Sequence, residues 1–180
     1  MAWTAPMTFV ANTVLTADML NTYLTNNLLE TETAKATSSG SWFIGDGPNK
    51  IVERIPQFAN ISAAEDRAAA MSYGDLETVG PTVTVTTGSR AIIMMSASLV
   101  NHTGANTTLM TYQVSGATTI AASDNRALIV DGVTADMNNQ RGQIMFEETL
   151  NPGENTFTLK YQAPNNPATI SNRFIGVWPL

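Results

Sequence analysis

The stretch GQIMFEETLNPGENTFTLKYQAPNNPATISNRFIGVWPL, residues 142–180, decides the fold. Phe157, Leu159, Tyr161 and Ala163 alternate with Thr156, Thr158, Lys160 and Gln162, the period of two that gives a strand one buried face. Before it, Asn151-Pro152-Gly153-Glu154 forms a turn, because Pro152 presets φ and Gly153 can take a positive φ. After it, Pro164-Asn165-Asn166-Pro167 breaks the chain, and Ile170 to Trp178 returns as a last strand ending at Pro179-Leu180. This predicts three strands, two turns and a terminus tied into its own sheet. Nothing in the run carries a catalytic pattern.

Working outward, the same grammar extends back to Ser72. Val83 and Val85 alternate with threonines up to a Thr87-Gly88-Ser89 turn. Ala91 to Val100, AIIMMSASLV, is apolar on both faces, which asks for a central strand or a second buried surface at a subunit interface. Asn101 to Thr107 reads as a loop, Leu109 to Val114 as a strand, Gly116 to Arg126 as a polar connection and Ala127 to Val130 as a strand. Seven or eight short strands at this spacing predict a jelly-roll-like β-sandwich over residues 72–180. Ile93, Met95, Ala97, Tyr161 and Phe174 are the candidates for its core or for an oligomer seam.

Residues 1–45 differ in kind. Trp3, Pro6, Met7, Phe9 and Val10 follow no period; they suit a disordered tail or an arm lying on something else, and their apolar content favours the arm. Thr16 caps a helix over about 17–29, with Leu15 and Leu20 as a hydrophobic staple and Asp18 in the first turn. Met19, Leu20, Tyr23, Leu24 and Leu28 make one apolar stripe. So short a helix is marginal alone in water, so the stripe needs the body, a copy of itself or another protein. Trp42-Phe43-Ile44 reads as a short anchoring strand in a linker. Residues 46–71 read as a connector, with a strand over Ile51–Ile55 and a short helix over Ala63–Met71 behind a Ser62/Glu65 capping box.

Composition narrows the function classes. The 180 residues carry fifteen acidic and nine basic side chains, a net charge of -6, and no cysteine. With no Lys/Arg cluster, nucleic-acid binding is not expected; without cysteine there is no disulfide framework or thiolate metal site, and a reducing cytoplasm suits the chain. No apolar run approaches the ~20 residues that span a bilayer, and the start lacks a signal-peptide pattern, so a soluble protein with no membrane partner is expected. His102, the single histidine, sits in a polar loop and reads as solvated rather than catalytic. Glu147 and Glu148 are adjacent in a strand and point to opposite faces, so they cannot act as a carboxylate pair. Asp124, Asp131 and Asp136 lack calcium-loop spacing. Asn60, Asn101 and Asn106 begin glycosylation-type triplets of the kind that chance supplies in an Asn/Thr-rich chain. No catalytic residues, metal or cofactor are expected; a carbohydrate-active enzyme on a jelly-roll scaffold would need a converging acidic pair.

Three segments, WTAPMTFVANTVLTADMLNTYLTNNLLETETAKAT at 3–37, SYGDLETVGPTVTVTTGSRAIIMMSASL at 72–99, and LNPGENTFTLKYQ with ATISNRFIGVWPL at the close, resemble a family of small virion proteins of tailed bacteriophages of actinobacterial hosts. These are labelled capsid decoration, head-fibre or minor tail proteins. The resemblance spans nearly the whole chain apart from about 59–71. It implies an N-terminal attachment region, a C-terminal jelly roll similar to the trimeric tumour-necrosis-factor-like domains, and no catalytic activity. On this reading the chain is a minor capsid protein on the virion surface, assembled in the host bacterial cytoplasm. Its partners are the phage major capsid protein and, in a homotrimer, itself. Trp3, Met7, Phe9, Leu15, Leu20, Tyr23 and Leu24 are the anchoring candidates. The alternative is a minor tail or receptor-binding protein that touches the host through its polar loops.

Overall fold

The computed structural model describes residues 3–8, 10–103, 107–131, 135 and 138–180. They fall into two compact units, Met1–Ile55 and Pro56–Leu180.

In the first unit the expected cap is present: the Thr16 hydroxyl accepts the Met19 N–H, and Asp18 lies in the first turn. The helical run α1, residues 17–28, has α-helical turns at Ala17–Leu20 and Asn26–Leu28 around a π-helical segment at Asn21–Thr25. A second short helix, α2 (Glu32–Lys35), falls in what reads as linker; the Thr31 hydroxyl caps it by accepting from the Ala34 N–H. Strands β1 (Trp42–Gly45) and β2 (Ile51–Arg54) pair antiparallel. Lys35 ties α2 to the hairpin, its ammonium donating to Glu30 and to the Ile51 carbonyl, each at 2.6 Å. Residues 46–55 therefore fold with the arm rather than as part of a connector.

The second unit holds β3 (Gln57–Ile61), β4 (Glu65–Arg67), β5 (Ala70–Gly74), β6 (Thr82–Thr87), β7 (Ala91–Asn101), β8 (Thr107–Gly116), β9 (Leu128–Asp131), β10 (Asn138–Glu147), β11 (Gly153–Ala163) and β12 (Ala168–Pro179). One antiparallel sheet runs β10-β7-β12-β3, with β4 also on β12; the other runs β5-β11-β8-β9, with β6 also on β11. The chain changes sheet between β4 and β5, β6 and β7, β7 and β8, β9 and β10, β10 and β11, and β11 and β12, the connectivity of a jelly roll. The protein is mainly β, as its alternation predicts.

The helix expected over Ala63–Met71 is not there; β4 and part of β5 occupy it. Helix propensities differ by less than about 1 kcal/mol per residue, and tertiary pairing outweighs them here. Glu65 does not close a capping box with Ser62. It accepts the Thr78 N–H at 2.8 Å and pairs with Arg173 at 2.6 Å, while β4 zips onto β12.

Strand β7 is central, flanked by β10 and β12. Its Ala91, Ile93, Met95, Ala97 and Leu99 are fully buried in the core between the sheets, with Tyr161, Phe157 and Leu159 from β11. Ile92 and Met94 point the other way and are half-buried. Gly153 opens β11 at φ 139°, the positive value its turn requires.

Candidate functional site

The site is built on the helix of the first unit. Asn27 is buried and grips the arm: its side-chain oxygen accepts the Thr4 N–H at 2.8 Å, and its amide donates to the Thr4 carbonyl at 2.9 Å. The same amide donates to the Tyr23 carbonyl one turn back at 3.1 Å. The arm is thus held along the helix by backbone bonds that need no particular arm side chain. Between arm and helix lies a groove of about 280 Å³ lined by Pro6, Met7, Leu15, Met19, Leu20, Tyr23 and Leu24. Leu15, Leu20 and Leu24 stay 50%, 41% and 54% exposed.

Five of the seven anchoring candidates, Met7, Leu15, Leu20, Tyr23 and Leu24, meet in this groove. Trp3 does not; it borders a separate pocket with Glu30, Asn49 and Lys50, and its N–H donates to the Asn49 carbonyl at 2.7 Å. Phe9 lies outside the described residues. The sequence reading does not single out Asn27; of the three asparagines in the helix, Asn21, Asn26 and Asn27, it is the one that lies four residues after Tyr23 on the apolar stripe. Of the core-or-seam candidates, Ile93, Met95, Ala97 and Tyr161 are fully buried in the core of one jelly roll. Phe174 alone lies on an outward face, half-buried.

Most of the titratable candidates make contacts within the fold. Glu147 is buried and bonded by the Tyr112 hydroxyl and by Arg126, while Glu148 is exposed. Burial, then that bond to Glu147, pushes the Tyr112 phenol up. His102 Nε2 meets the Thr169 hydroxyl at 2.8 Å. Asp124 and Asp131 accept hydroxyls of Tyr73 and Thr107, each at 2.7 Å, and Asp136 lies outside the described residues. Asn101 is fully buried. Among the described residues no group of acidic or histidine side chains is placed to hold a metal, and no helix is long and apolar enough to cross a membrane.

Glu53 on β2 gives the first unit an acid-sensitive lock. Its carboxylate accepts the N–H groups of Thr37 and Ser38, each at 3.0 Å, and the Thr37 hydroxyl. The Ser41 and Thr37 hydroxyls, followed by those backbone bonds, hold its pKa down to about 2 from 4.5. A depressed folded-state pKa stabilises above the unfolded value and loses that contribution as pH falls toward the folded one. The lock should therefore loosen between pH 4.5 and about 2. Amide protection at Thr37 and Ser38, measured as exchange relative to the intrinsic rate of an open amide at the same pH, is expected to fall as pH drops through this window in the wild type. In Glu53→Gln that protection should be low and independent of pH; wild-type protection that stays flat across the window would contradict the assignment.

No protein-family model matches the chain. No curated protein matches it either. Among solved structures, the chain is similar to infectious bursal disease virus, Gt strain, at 11% identity and a TM-score of 0.46, covering 74% of this chain and 36% of that one. It is also similar to the enzymatically active domain of tailspike protein 4 from bacteriophage CBA120, at 11% identity and TM-score 0.32, covering 68% and 19%. A carbohydrate-binding module of the Cellvibrio mixtus lichenase, in complex with cellotriose, matches at 12% identity and TM-score 0.28, covering 79% and 89%. The chain spans about a third of the length of the viral structure. At these identities and scores no residue role passes from any of them to this chain.

Proposed function

We propose that the protein is a structural component of a tailed-phage virion, a capsid decoration protein. Residues 1–55 bind the assembled head through its major capsid protein, and the jelly roll is carried at the particle surface without catalytic activity. The observation that carries this reading is the arm–helix groove, which leaves Leu15, Leu20 and Leu24 open to solvent at its walls. Burying a leucine contributes roughly 1.5–3 kcal/mol, so a groove of this kind favours a partner. The resemblance of residues 3–37 to phage virion proteins supplies the nature of that partner. The engagement of Glu65, Glu147, Asp124 and Asp131 in scaffold contacts supports a non-catalytic role.

Leu20→Asp with Leu24→Asp tests it. Both side chains are exposed, so the chain should fold, and two desolvated carboxylates in the groove should abolish incorporation. The expected result is wild-type chain sedimenting with purified particles and the double variant left in the supernatant with an unchanged circular-dichroism spectrum. Full retention of the variant on particles would overturn the attachment assignment.

A further inference from the structure

The outer face of the β10-β7-β12-β3 sheet is not part of the arm–helix groove, and its composition is unusual for a surface. In register across the strands, Phe146, Ile92 and Trp178 form one row; Ile144, Met94, Gly176 and Phe58 form the next. A third row holds Gly142, Ser96, Phe174 and Asn60. No charged side chain occurs in these rows, although the chain carries a net -6.

The relief of this face is uneven. On the β10 edge Ile144 and Phe146 stand out, 64% and 49% exposed. On the β3 edge the Phe58 ring lies down over β12, 4.9 Å from Trp178 edge-on and 6.3 Å from Phe174 in a stack. Gly176 permits this, because a Cβ there would come within 2.8 Å of the Phe58 ring. Beside the ring lies a hollow of about 220 Å³ lined by Phe58, Ala59, Asn60 and Phe174. That is several times the ~30 Å³ share of a water and enough for an aromatic or branched aliphatic side chain.

We propose that copies of this chain associate through this face, the Ile144/Phe146 ridge of one seating against the Phe58/Phe174 hollow of the next. Ridge and hollow sit at opposite edges of one sheet, so the face is complementary to itself; head-to-tail contacts of this kind make a ring where the rotation between copies closes and a filament where it does not, and the proposed assembly is the closed one. An uncharged face lets two like-charged chains meet without juxtaposing like charges. Phe58, Ile144 and Phe146 alone leave on the order of 300 Å² open, taking about 200 Å² for a fully exposed side chain of their size. With Ile92, Met94, Phe174 and Trp178 around them, the face moves toward the ~800 Å² per partner of a standard interface.

The chain has no cysteine, so an introduced pair reports the contact directly. In Asn60→Cys with Ile144→Cys the two thiols of one chain lie three strand spacings apart, roughly 14 Å, beyond the ~7 Å limit on Cα separation for a disulfide. Mild oxidation is expected to link separate chains into a fixed small multiple, and light scattering of the wild type should give that same multiple of 19.3 kDa. Ile144→Glu with Phe146→Glu should yield folded monomer. Ile129→Glu, on the exposed side of β9 in the other sheet, should keep the wild-type mass. A monomeric wild type, or a glutamate variant of unchanged mass, would overturn the proposal. So would a monomer that loses particle binding on Ile144→Glu, since that would assign the face to the lattice. Residues 1–55 are unaltered in these variants, so their outcome is separable from that of the attachment test.

Discussion

Met95→Glu is expected to leave no folded jelly roll at room temperature. Met95 is fully buried on the central strand, opposite Ile175 of β12 and Gln143 of β10. Its replacement removes a core side chain and puts a carboxylate in a space with no partner. An unpaired buried charge costs several kcal/mol even after relaxation, and loss of the methionine adds about 2–5 kcal/mol. A domain of this size has only about 5–15 kcal/mol in all. Circular dichroism and limited proteolysis should report an unfolded or aggregated chain. Met94→Glu is the control: one residue away and outward-facing, it should leave the fold intact. A Met95→Glu protein with the wild-type urea midpoint would contradict the placement of the core.

Arg173→Met is expected to cost about 3–5 kcal/mol. The guanidinium is wholly buried and lies 2.6 Å from the Glu65 carboxylate, whose side chain is 11% exposed. It also donates to the Thr78 carbonyl at 3.3 Å and stands 5.7 Å from the centre of the Tyr161 ring. Removing it leaves the largely shielded Glu65 carboxylate without its ion-pair partner, although the Thr78 N–H still holds that carboxylate's pKa down first, with Arg173 contributing after it. Because the loss comes from an orphaned charge more than from a missing attraction, Glu65→Gln added to Arg173→Met should restore part of the stability. Urea melts of the two singles and the double provide the cycle. A double variant as unstable as the sum of its singles would show that the two residues act independently.

The legible parts of this chain are those where local chemistry and tertiary pairing agree. Pro152-Gly153 and strict alternation define β11; Thr16, Leu15 and Leu20 define the start of the helix. Strand β7 is legible as buried, yet Met94 and Met95 are chemically identical, so nothing local says which of them faces the core. Only the register with β10 and β12 does. Strands β4 and β5 were hidden for another reason. They are three and five residues long, too short for a period to stand out from an alanine-rich background. The pairing that holds β4 is with β12, more than a hundred residues downstream.

The candidate groove was half visible. The Leu15–Leu20 staple and the stripe from Met19 to Leu28 announce an unburied helix face, but the arm's seat on it depends on backbone groups of Thr4 and on the amide of Asn27, which no side-chain pattern encodes. The outer sheet face was invisible because each row takes one residue from each of up to four strands. Phe174 was singled out with buried residues such as Tyr161, although it faces outward.

The central claim is attachment to the head, and cryo-electron microscopy of intact particles tests it most directly, with icosahedral averaging of the shell and a separate reconstruction along the tail. The expected result is jelly-roll density on the head exterior, with residues 1–55 lying against the major capsid protein and Leu20 and Leu24 buried in that contact. Density confined to the tail, or a head-bound chain whose groove faces solvent, would contradict it.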